Sequence, residues 1–136
     1  MNRDLVTYRK NRAQETIEDA IVLADSGRWN ACVNRLYYAC FYAISALLLI
    51  GERSSTRHTG VRALFNLYFV RTGIVTKDLA KVYNDLFERR QEGDYVDFVS
   101  FAEHQVRPWL KQAQLFVQEI DELIEHKLSG TNQKDI

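Results

Sequence analysis

Apolar residues along the chain recur at steps of three and four, with no strand-like alternation. Leu5, Tyr8, Ala13, Ile17, Ala20, Ile21 and Ala24 mark one face of a first helix, and Asp25-Ser26-Gly27 closes it with Gly27 as a left-handed cap. The second helix, from about Trp29 to Ile50, reads differently. Between Leu36 and Ile50 almost every side chain is apolar or aromatic, and such a helix is buried on all sides by other helices. Gly51 stops it, and the segment from Gly51 to Arg57 is a polar loop. Val61, Leu64, Phe65 and Tyr68 predict a third helix that ends before Gly73. Thr76 is the N-cap of a fourth, with Asp78 in its first turn. The apolar face of that helix is Leu79, Val82, Tyr83, Leu86 and Phe87, and Gly93 weakens it near its end. Ser100-x-x-Glu103 is a capping-box pattern. It opens a last helix striped by Val106, Trp109, Leu110, Ala113, Phe116, Val117, Ile120, Leu123 and Ile124. Pro108 inside this span predicts a kink or a start nearer Val106.

Short connections make sequential helices antiparallel. The pattern therefore predicts an all-α fold, a five-helix up-and-down bundle around a central, fully buried second helix. It is expected to form one domain over residues 1–128, followed by a disordered polar tail over 129–136.

Composition agrees with this picture and narrows it. Of 136 residues, 46% are hydrophobic and 12% aromatic, which is enough for one sizeable core. Six Gly and a single Pro are too few for a loop-rich or all-β chain. A net charge of zero argues against a general nucleic-acid coat protein. The charge is uneven, however. Residues 52–90 carry eight bases against four acids, and residues 91–136 carry nine acids against four bases. A confined anion site, a charge-complementary partner or a merely charge-mixed surface all fit that distribution. Cys32 and Cys40 lie eight residues apart on one predicted helix, about 12 Å along its axis. That exceeds disulfide reach. With no apolar signal core near Met1, the expectation is a reducing, cytoplasmic setting. The run Leu36–Ile50 is short for a bilayer span, so no membrane association is expected.

The candidate chemistry sits where polar residues interrupt apolar faces. Asn34 and Arg35 stand at the head of the apolar run, where a charge needs a partner or a ligand. Positions 79, 83, 86 and 90 share one face of the fourth helix, so Arg90 extends its core stripe, with Asp94 four residues on and Tyr95 next. Two readings stay open: an ion pair of Arg90 or Arg35 with Asp94 that pins helices, or an Arg that grips phosphate beside an acid and a phenol. His58 opens the third helix beside Arg57, where free N–H groups favour an anion. Neither His104 nor His126 has metal-ligand spacing, so no metal is expected. No Gly-rich phosphate loop, paired-Cys motif or nucleophile elbow is present, and no cofactor is expected.

Three strings, in order, resemble the HEPN domain (higher eukaryote and prokaryote nucleotide-binding), above all its short stand-alone bacterial and archaeal branch. They are Asn34-Arg35-Leu-Tyr37-Tyr38-Ala, Arg57-His58-Thr-Gly60-Val61, and Arg90-Gln-Glu-Gly-Asp94-Tyr95-Val-Asp-Phe98. The resemblance spans about residues 10–125. It implies an up-and-down helical bundle that dimerises and associates with a minimal nucleotidyltransferase, often as a toxin–antitoxin pair. Many such domains are metal-independent ribonucleases whose signature is Arg, four to six residues, then His. Here the spacing from Arg90 leads to Tyr95, and a phenol with a pKa near 10 is a poor general base. The string Arg53-x4-His58 has the right spacing in a loop, at about even odds of chance given twelve Arg and three His. On this reading the catalytic candidates are Arg90, Tyr95 and His58, and the ligand-binding candidates are Asn34, Arg35, Tyr38, Arg57 and Asp94. The implied ligand is RNA or a nucleotide. A non-catalytic dimerisation module is the structural alternative, with Phe98, Phe101 and Tyr68 as candidate surface aromatics.

Overall fold

The computed structural model describes residues 1–134, with side chains to Gly130. Five α-helices follow in order, with no strand among the described residues: α1 Arg3–Asp25, α2 Trp29–Ile50, α3 His58–Phe65, α4 Lys77–Tyr95 and α5 Glu103–Lys134. A π-helical turn, Asn66–Val70, extends α3 and places Phe69 in the core. The caps follow from local chemistry. The Asn2 side chain accepts the Leu5 amide, and the Thr76 side chain accepts that of Leu79. Gly27 takes the left-handed conformation, at φ 71°, that lets the chain leave α1 and enter α2.

The central helix is α2. It packs against α1, α3, α4 and α5, most extensively against α1. Cys32, Val33, Leu36, Tyr37, Ala39, Cys40 and the run Ala43–Leu48 are buried. By length and composition α2 could cross a membrane, but 61% of its apolar window is covered by the other helices. Both thiols are unpaired and buried, and burial pushes that of Cys32 up to about 11. One stripe of α2 escapes full burial. Asn34, Arg35, Tyr38, Phe41 and Tyr42 are only half-buried. The long helices α1, α4 and α5 pack on α2, and the short α3 meets this stripe through its first residue, His58.

The far end of the chain departs from the sequence reading in three places. Asn30 of α2 donates to the Val99 carbonyl and accepts the Phe101 amide, each at 2.9 Å, which pins the α4–α5 connection. Because that connection stays non-helical through Ala102, α5 opens at Glu103 and not at Ser100. The Gln105 side chain, not that of Ser100 or Glu103, takes the free Ala102 amide at 2.9 Å. Pro108 lies in the second turn of α5, where its missing N–H leaves one carbonyl without its usual partner. Finally, α5 continues through residues 129–134, where a disordered tail was expected; residues 135–136 lie outside the described residues.

Candidate functional site

The end of α4 meets the half-buried stripe of α2. Arg90 follows Tyr83 and Leu86 on the inward face of α4 and is only 6% exposed. Its guanidinium carbon lies 4.9 Å from the ring centre of Tyr37, 5.6 Å from Tyr38 and 5.7 Å from Tyr95. Three aromatic rings thus flank one cation, and ring faces attract positive charge. Asp94, one turn on, stands 3.9 Å from Arg90, close enough for an ion pair and too far for a hydrogen bond. Arg90 makes no hydrogen bond among the described residues, and its Nε is sealed from solvent without a partner. A guanidinium is a fork of N–H donors, and burial without acceptors is costly unless something else supplies them.

A polar relay runs beside it. Arg35 donates through Nε (3.0 Å) and a terminal nitrogen (2.7 Å) to the Asn34 side-chain oxygen. The Asn34 amide nitrogen donates to Asp94 at 2.8 Å. Asp94 therefore reaches Arg90 directly and Arg35 only through Asn34. Arg35 also lies 4.8 Å over the Tyr38 ring.

His58 enters from the first position of α3. Its ring stacks on Phe41 with centroids 4.6 Å apart and meets Tyr38 edge-on at 5.5 Å. Its Nδ1 is 2.7 Å from the Tyr37 hydroxyl. Burial, then the positive charge of Arg90, pushes the imidazole below its ordinary pKa. Burial likewise pushes the Tyr37 phenol up to about 12.

The structure thus gathers Asn34, Arg35, Tyr38, His58, Arg90, Asp94 and Tyr95 from three helices. Tyr95 lies at the rim, largely exposed. Arg57 is not part of the group. It stands exposed at the N-cap position of α3 without a side-chain cap hydrogen bond, and its guanidinium makes no ion pair among the described residues, while the neighbouring His58 ring turns onto the aromatic stripe. The helix-start anion site expected of Arg57 and His58 together is therefore split. Arg53 does not pair with His58 either; its guanidinium lies 3.6 Å over the Tyr68 ring. Of the candidate surface aromatics, Phe98 is fully exposed and Phe101 is buried against Trp109.

Two residues of the cluster escaped the sequence-based assignment of roles, Tyr37 and Phe41. Their signal was spacing: Tyr37 and Tyr38 fall one turn, and Phe41 and Tyr42 two turns, beyond Asn34 and Arg35 on the same side of α2.

Comparison with known proteins places this geometry in context. The HEPN domain model matches residues 6–123. A UPF0332 protein of Thermotoga maritima is 46% identical over 121 residues, 89% of this chain and 92% of its own length. A protein of Methanocaldococcus jannaschii, named as a candidate toxin, is 27% identical over 123 residues, 89% of this chain and 84% of its own length. The crystal structure of TT1696 from Thermus thermophilus superposes with a TM-score of 0.67 at 19% identity, over 93% of this chain and 99% of that one, which speaks to the fold alone.

Proposed function

The chain belongs to the HEPN domain family, and from that premise we propose that it is a cytoplasmic RNA- or nucleotide-binding protein, one half of a toxin–antitoxin type pair with a minimal nucleotidyltransferase. The observation that carries this reading is Arg90, nine-tenths buried and flanked by aromatic rings, with no hydrogen bond for its donors. A phosphate oxygen supplies the acceptors such a fork lacks. Tyr95 at the rim offers a ring face on which a base can stack. The name of the Methanocaldococcus jannaschii relative supports the toxin side of the pair.

The half-buried aromatics Tyr38, Phe41 and Tyr42 support a homodimer, since one copy leaves this stripe only partly covered. Light scattering on the purified protein should return twice the mass of a single chain. A single-chain mass at micromolar concentration would remove the dimer from the proposal.

The test of the site is direct. Arg90→Met keeps a similar volume and removes the charge. Affinity for a short single-stranded oligoribonucleotide, read by fluorescence anisotropy, should fall at least about tenfold, the loss expected for charge-assisted hydrogen bonds. The unfolding midpoint should hold, because relieving a buried guanidinium that makes no hydrogen bond offsets the ring contacts and the 3.9 Å ion pair it gives up. Unchanged affinity would overturn the reading.

A second reading, a metal-independent ribonuclease, is favoured by one observation: His58 and Arg90 contact the same two rings, Tyr37 and Tyr38. Cleavage of the same oligonucleotide in the presence of a chelator, lost in Arg90→Met, is the result that would establish it.

A further inference from the structure

The imidazole of His58 has little freedom. Phe41 stacks on one face at 4.6 Å, Tyr38 meets it edge-on, and the Tyr37 hydroxyl holds Nδ1 at 2.7 Å. One ring nitrogen, Nε2, has no partner among the described residues, and the side chain is half-buried. We infer that Tyr37 is a positioning residue that donates its proton to Nδ1, so that His58 meets the ligand of the Arg90 pocket with Nε2–H, as a neutral hydrogen-bond donor and not as a base.

The direction of that single hydrogen bond follows from where its protons can go. Tyr37 is fully buried, and its hydroxyl lies 2.7 Å from His58 Nδ1. The buried Tyr83 hydroxyl is its other polar neighbour, and among the described residues Tyr83 has no acceptor besides the Tyr37 oxygen. Were the imidazole to donate instead, the Tyr37 proton would have to turn to Tyr83, and the Tyr83 proton would be left in the core without an acceptor, which burial penalises. Adding a second proton to the ring has the same consequence, because Nδ1–H must then point at the phenol oxygen. The groups facing the ring oppose that proton too. Tyr37, Tyr38 and Phe41 of α2 are uncharged, Arg57 precedes it in the chain, and Arg90 faces it from α4. The nearby carboxylate, Asp94, is held by Asn34 and Arg90. Burial keeps the Tyr37 phenol protonated through the neutral range.

Arg90 and His58 then form one array of donors from two helices, suited to the oxygens of a phosphate. His58 offers no lone pair to take a proton from an attacking 2′-hydroxyl, so the array recognises a phosphodiester without cutting it. What ligand meets Nε2 rests on the proposed function; the position of the proton is a property of the unliganded chain and can be tested without it.

The experiment is long-range proton–nitrogen correlation on the 15N-labelled full chain, from about pH 5 to about pH 9. His58→Gln assigns the signal. The expected result is a proton on Nε2 of His58 at neutral pH and a titration midpoint below the ordinary histidine value of 6.5. In Tyr37→Phe, with folding checked by circular dichroism, the two tautomers should mix and the midpoint should move up toward that value. A proton on Nδ1 in the wild type, a midpoint at or above the ordinary value, or a Tyr37→Phe spectrum identical to wild type would each overturn the inference. Loss of oligoribonucleotide binding is read separately, through Arg90→Met, so a failure of the function leaves the tautomer standing and the reverse.

Discussion

Phe98 holds a positive φ of 66° with its ring wholly in solvent. A left-handed backbone costs an L-residue about 1–2 kcal/mol, and an exposed ring returns no packing. Glycine removes that strain but makes the unfolded chain more flexible, at about 0.5–1 kcal/mol. The strain term is the larger, so Phe98→Gly should stabilise the fold by about 0.5 kcal/mol or slightly more, read from urea unfolding midpoints. A lower midpoint would mean that the ring packs in solution. At this scale the sequence was legible wherever a face was defined. The steps from 79 to 83, 86 and 90 put Arg90 on the apolar stripe of α4, and the side chain is turned inward. Tyr37 and Phe41 were less legible, because on a helix apolar nearly all round only the polar pair Asn34 and Arg35 marks a side to count from. Phe101 looked like a surface aromatic only because its partners, Trp109 and Gly93, approach from other parts of the chain.

At the scale of elements, one asparagine decides how two helices join. Asn30 holds both Val99 and Phe101, so the strained Phe98 is fixed from the side of α2. Asn30→Ala removes both hydrogen bonds and leaves a half-buried carbonyl and a buried residue's amide without partners. At about 0.5–1.5 kcal/mol each, the loss should be about 1–3 kcal/mol in chemical denaturation. No measurable loss would show that water replaces the side chain there. The same junction explains Gly93, which the sequence marks as a weak point of α4. A Cβ at that position would come within 2.9 Å of the Phe101 ring, so the ring and the helix share that space. The capping of α5 was misplaced for a related reason. Ser100-x-x-Glu103 is a sound local signal, but the clamp from Asn30 holds the chain out of the helix past Ser100, and Gln105 takes over the free amide.

For the whole molecule, the lowered pKa of His58 ties stability to pH. Its ordinary value is 6.5, which the unfolded chain keeps, and the folded value lies lower through burial and the Arg90 charge. Between the two values the unfolded state binds more protons, so acid favours unfolding there. The contribution is fully present above pH 6.5 and lost as pH falls toward the folded value. The melting temperature should therefore decline as pH drops below about 6.5, and His58→Gln should flatten that part of the profile. A profile identical in the variant would place the effect elsewhere.

The sequence by itself determined the helices, their order and the central position of α2, because these depend on periodicity and capping within a few turns of chain. It also determined that Arg90 faces inward, since one helix face is a local property. Tertiary structure alone decided which residues meet. It brought His58 from α3 onto the α2 stripe, routed Arg35 to Asp94 through Asn34, left Arg57 outside, and buried Tyr37 under the imidazole. Those pairings join residues twenty to sixty positions apart. Their geometry is set by how helices cross and how loops are pinned, and no pattern along a single helix encodes it.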